Sequence, residues 1–158
     1  MPSLVFVGTL GFLVQWSTRQ RVNADTYFHL RLGHEFLKHW APWNPGSVTP
    51  YATREWLPSQ WLSQVAMAAV ENLWGLEGVV WLSGAVMILY TVVVLRACRR
   101  ESSLLVAATL TIVVLAASTP SLSARPQVIS FVLTAVTVSA WMRTSRDGRV
   151  RWWLIPVT

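Results

Sequence analysis

Asp25, His29, Arg31, His34 and Glu35 fall within eleven residues of one another, in the stretch NADTYFHLRLGHEF at residues 23–36. A carboxylate can take a proton, an imidazole can orient or shuttle one, and a guanidinium can hold a phosphate or carboxylate oxygen pair. From Asp25 to Trp40 the stretch reads as a helix, with Asn23 or Asp25 as its cap and Phe28, Leu32, Phe36 and Trp40 as an apolar stripe at four-residue spacing. Asp25 and His29 then stack on another face, four residues apart. One reading is a plain surface helix with a capping aspartate; the other is a reactive face. A zinc site made of His29 and His34 is a poor fit, because five-residue spacing on a helix turns the two rings apart.

Two further charges stand in suggestive places. Glu55 lies in TPYATREWLPSQWL, residues 49–62, between Pro50 and Pro58, which together with Pro42 and Pro45 rule out one long helix and imply a shaped loop. Either Glu55 is solvated there and Trp56 is an interfacial anchor, or the loop folds over a cavity that Glu55 faces. Arg125 lies in SLSARPQV, just before an apolar run. It can anchor a helix end by snorkelling, or its guanidinium fork can bind a lipid phosphate.

The elements that must position these residues are membrane helices. Over half of the 158 residues are hydrophobic and only 13% are charged, about half the ~25% of a soluble domain; the mean hydropathy is positive, at +0.43. The net charge of +6 does not indicate nucleic acid, because the arginines sit in short blocks between apolar runs. Cys98 is the single cysteine, so neither an internal disulfide nor a cysteine metal cluster can form. The expected fold is all-α: a polytopic transmembrane helical bundle in one membrane domain over residues 1–158. Spans are expected at 3–16, 76–96, 103–119 and 126–142, with a further one starting at 152–158. The first span lacks a basic n-region and a small-residue cleavage motif before Arg19, so it reads as a membrane helix and not a cleaved signal.

Charge sets the expected orientation. Arg96, Arg99 and Arg100 crowd one link, and Arg143, Arg146, Arg149 and Arg151 another; both should be cytoplasmic. The 119–126 link carries only Arg125, and loop 17–60 spreads five basic and three acidic residues over 44 positions, so both should be extracytoplasmic. The N-terminus is then cytoplasmic and the protein integral to the plasma membrane. Within the outer region, 17–75, amphipathic juxtamembrane helices are expected. Segment 59–74 sets Leu62, Val65, Ala66, Ala69 and Leu73 against Gln60, Ser63, Gln64, Glu71 and Asn72. It is either a surface helix or a span that turns at Gly75 and Gly78. Trp16, Trp40, Trp43, Trp56, Trp61 and Trp74 suit an interfacial belt.

The stretches ADTYFHLRLGHEFL, REWLPSQWLSQVAMAAVENLWG and SARPQVISFVL together resemble the N-terminal part of GT-C integral membrane glycosyltransferases of the protein O-mannosyltransferase kind. The likeness is one of pattern and runs over nearly the whole chain. It implies transfer of a sugar from a polyprenyl-phosphate donor to an acceptor on the extracytoplasmic face, with a catalytic carboxylate in the first outer loop. Asp25 occupies that place. His29, Arg31, Glu55 and Arg125 are the matching donor-binding candidates, with Arg125 first and Arg31 second for the phosphate. Asp25 and Glu55 are the pair that would hold a divalent metal, on which members of the family differ in their dependence. The partners implied are the lipid-linked donor and membrane lipid. Many members carry Glu directly after the Asp, where this chain has Thr26, and a paired proline where it has LPSQW. They also have more helices, so the chain is expected to be a fragment, a truncated reading frame or a degenerate member. The competing class is a non-enzymatic multi-pass membrane protein, such as an accessory subunit, a transporter fragment or a degenerate relative.

Overall fold

A computed structural model describes residues 7–8, 11, 22–39, 59–118 and 121–153. The first expected span, the proline-bearing loop with Glu55, and residues 154–158 therefore lie outside or almost wholly outside the described residues. Every regular element among the described residues beyond 22 is helical: α1, Ala24–His39; α2, Trp61–Arg99; α3, Leu104–Ser118; and α4, Gln127–Asp147. α2 and α4 are long and apolar enough to cross a membrane, while α3 is apolar but only 15 residues long.

Local chemistry explains the boundaries. Asn23 caps α1: its Oδ1 accepts from the Thr26 backbone N–H at 3.0 Å, and Thr26 Oγ1 accepts from the Asn23 N–H at 3.3 Å, a reciprocal arrangement of capping-box type. Asp25 instead sits in the first turn, where the helix dipole favours a negative charge. Pro126 stands just ahead of α4, where a missing N–H costs nothing. Gly148 ends α4 at φ 64°, with its N–H on Thr144 O at 2.9 Å.

α2 is really two helices. Gly75 breaks it at φ 68°, ψ −169°, a conformation essentially reserved for glycine. Past the break, a Cβ on Gly78 would stand 2.7 Å from Trp74 Cβ and 3.1 Å from Val70 Cγ1. The two glycines thus let the arm 61–74 fold close against the start of the segment that follows. The bend brings Met67 and Val79 into one buried cluster with Leu30 of α1. A second core joins Tyr90, Val94, Leu115, Leu122, Val128 and Val132 from α2, α3, the 121–126 link and α4.

The arm 61–74 buries a mixed face that includes Gln64. Gln64, Met67 and Ala68 are buried and Glu71 reaches α1, while Leu62, Leu73 and Trp74 are exposed. α1 shifts relative to its expected stripe in the same way: Leu30, Leu32 and Phe36 are buried, but Phe28 faces out. The hydroxyls of Ser83, Thr91, Thr109 and Thr111 do not join helices but each bond the carbonyl one turn back on their own helix, at 2.7–3.0 Å. Only Tyr90 Oη to Ser118 Oγ, at 3.4 Å, joins two helices in this way among the described residues.

Candidate functional site

The site is built where the first turn of α1 meets the 121–126 link that leads into α4. Asp25 and Arg125 are 100 positions apart in sequence, and Arg125 Nη2 donates to Asp25 Oδ2 at 2.6 Å. The two are brought together by the backbone beside them. Thr26 is fully buried, and its hydroxyl lies 3.0 Å from Ala124 O. A hydroxyl has one proton, and Asn23 Oδ1 is already served by the Thr26 N–H, so Ala124 O is the better claimant. Leu122, Ser123 and Ala124 are buried around it, and the Arg125 N–H bonds Ser123 O at 2.7 Å. The link is therefore pinned to α1 one residue away from each charge. A carboxylate in place of the Thr26 hydroxyl would set its oxygens against the Ala124 carbonyl, to which threonine donates instead.

The first turn of α2 completes the junction. Gln64 Nε2 lies 3.0 Å from His29 Nδ1, and Gln64 is almost wholly buried, at 1% exposure. Burial is the largest influence on His29 and lowers its pKa below the usual 6.5; the Asp25 charge opposes this and the Arg125 charge adds to it. A neutral ring fits the contact, with Nδ1 accepting from the Gln64 amide. One turn further on, His34 Nε2 meets Glu71 Oε2 at 2.7 Å. Between them α1 and α2 nearly touch: a Cβ on Gly33 would come within 2.1 Å of Gln64 O.

Three buried polar atoms lack a hydrogen-bond partner among the described residues: Gln64 Oε1, Ser123 Oγ and Arg125 Nε. All three belong to this junction. Buried polar groups are rarely left unpaired, and here three of them stand at one junction.

Of the residues singled out from sequence, Asp25, His29 and Arg125 are gathered. Arg31 is not with them; it is exposed and approaches Glu35 at 3.8 Å, one turn along α1. Glu55 lies outside the described residues. His29 and His34 turn to different partners on α2, in keeping with their spacing. No group of three or more His, Cys, Asp or Glu side chains suits a metal among the described residues. Asp25, held by Arg125, is one oxygen donor beside a cation and does not by itself match the oxygen-rich shells of divalent ions. Thr26, Gly33, Gln64 and Glu71 were not identified as site residues from sequence. The signals were a glycine in mid-helix and polar residues in an apolar arm, and neither says what it faces. No known protein family, curated protein or solved structure matches this chain.

Proposed function

We propose that the chain is an integral membrane glycosyltransferase, or part of one, which passes a sugar from a polyprenyl-phosphate donor to an acceptor hydroxyl on the extracytoplasmic face. The observation that carries the reading is the Asp25–Arg125 pair, a base and an anion-binding cation at one polar junction. The setting supports it. Leu73 and Trp81 are more than 70% exposed, and Leu105, Val113 and Trp141 are exposed as well, an outward apolar surface that lipid would cover. The arginine blocks at 96–100 and 143–151 favour the cytoplasmic side by the positive-inside rule, which supports a position outside for the pair.

In this mechanism the donor phosphate takes the Arg125 guanidinium from Asp25. That exchange frees the carboxylate to accept the proton of the acceptor hydroxyl. The hydroxyl oxygen bonds to the sugar carbon as the carbon–oxygen bond to phosphate breaks, and the electron pair leaves with the phosphate, where Arg125 offsets the charge. His29, neutral and held by Gln64, lines the same junction.

A second reading has one observation in its favour: Asp25 and Arg125 already satisfy each other at 2.6 Å. In it the protein is a non-enzymatic multi-pass membrane protein and the pair is a clasp that fixes α1 to the 121–126 link. Membranes carrying the complete protein, given labelled polyprenyl-phosphate sugars, separate the two. Asp25→Asn should lower transfer by about 10²–10⁴-fold, the usual contribution of a general base, with protein level unchanged. Transfer at the wild-type rate removes Asp25 from the chemistry and leaves the clasp.

A further inference from the structure

The opposite end of the molecule carries a second, independent feature. Arg96, Arg99 and Arg100 close α2, and Arg143, Arg146, Arg149 and Arg151 run through the end of α4 and past it. An ion pair between Glu101 and Arg146 ties the two groups together. Against these seven arginines stand only Glu101 and Asp147. Arg96, Arg99, Arg100, Arg143 and Arg149 enter no ion pair among the described residues, so the surplus positive charge is uncompensated.

Beside it, on the last turns of α4, lies an open groove of about 460 Å³ lined by Val138, Trp141, Met142, Thr144 and Ser145, within the ~300–1,000 Å³ range of small-ligand sites. Its lining is mostly apolar, with Thr144 and Ser145 on its polar side. Arg151 reaches that side, with Nη1 donating to Thr144 Oγ1 at 2.8 Å while Nη2 pairs with Asp147 at 2.6 Å. Trp152 and Trp153 follow at once and are exposed, as aromatic side chains at a bilayer boundary are.

We propose that this end binds an acidic phospholipid, with an acyl chain along the Val138–Trp141–Met142 groove and the phosphate and headgroup among the arginines beside it. The charge selects an anion, and the apolar groove selects one that carries a hydrocarbon chain; free phosphate would leave the groove empty. The proposal rests on the chain lying in a membrane but not on sugar transfer.

The test is retention of lipid by the full chain, purified from micelles containing equal phosphatidylglycerol and phosphatidylcholine and read by native mass spectrometry. Phosphatidylglycerol should be retained preferentially. Each basic side chain near an anionic surface contributes about fivefold in binding. Arg143→Gln with Arg149→Gln should therefore lower that retention by on the order of tenfold or more, and Lys38→Gln, exposed on α1, should leave it unchanged. Val138→Trp, which fills the groove, should lower retention with the arginines intact. Equal retention of the two lipids, or displacement of phosphatidylglycerol by millimolar glycerol phosphate alone, overturns the proposal. Flotation with vesicles keeps the two ideas apart: a chain that floats with neither lipid fails the membrane reading, whereas one that floats yet shows no preference fails the lipid site alone.

Discussion

His29 shows how a single side chain can report on the junction. Burial holds its pKa below 6.5, so the folded protein binds fewer protons there than the unfolded chain. The stability this confers is complete above pH 6.5 and is lost as pH falls from there through the lower folded value. Thermal unfolding of the detergent-solubilised protein between pH 8 and pH 5 should show a midpoint that declines below about pH 6.5. His29→Gln, which cannot titrate but can still bond Gln64, should flatten that decline. The His34–Glu71 contact is present in both proteins and drops out of the comparison. Identical slopes would mean that the His29 ring is not protected from protonation by the fold. Arg125 is a residue-scale matter too: its Nη2 is engaged and its Nε is buried without a partner, so it is held short of the full set of bonds that a guanidinium can make.

At the scale of elements, the docking of α1 on the arm of α2 depends on Gly33. A methyl group there would meet Gln64 O at 2.1 Å and Ala68 Cβ at 2.8 Å, and the first of these is backbone, which cannot rotate away. Gly33→Ala should cost at least the ~1–3 kcal/mol of an overpacked core, and it should loosen His29 from Gln64 and His34 from Glu71 together. Gly84→Ala is the matched control, because nothing lies within 4 Å of a Cβ at that position; it should leave the unfolding midpoint unchanged or raised. Equal effects of the two would show that α1 does not approach α2 as closely as described. The Gly75 break belongs to this scale as well. A 39-residue helix running straight could not bring Met67 and Val79 into one cluster with Leu30.

For the whole molecule the question is which end faces which side. The Asp25–Arg125 junction and the arginine-rich end lie at opposite ends of the fold, so one labelling experiment sets both. In a Cys98→Ser background, Ala24→Cys should react with a membrane-impermeant maleimide added to intact cells. Ser103→Cys should react only after the membrane is opened. The reverse pattern would put Asp25 in the cytosol, and sugar transfer at the outer face would fail with it. The lipid site would then be expected on the outer leaflet, where its arginines would lie.

The composition and the long apolar runs determined by themselves that this is a helical chain with membrane-length segments. Those properties are local or additive along the chain, and a carboxylate with a histidine four residues on is legible in the same way. What only the tertiary structure decided is partnership. Arg125 could equally have met lipid, water or another acid, and Arg31, nearer to Asp25 in sequence, takes Glu35 instead. Which charge meets Asp25 depends on the buried Thr26–Ala124 contact and on the bend at Gly75. Neither has a periodic signature, because each is a single close approach between segments far apart in sequence.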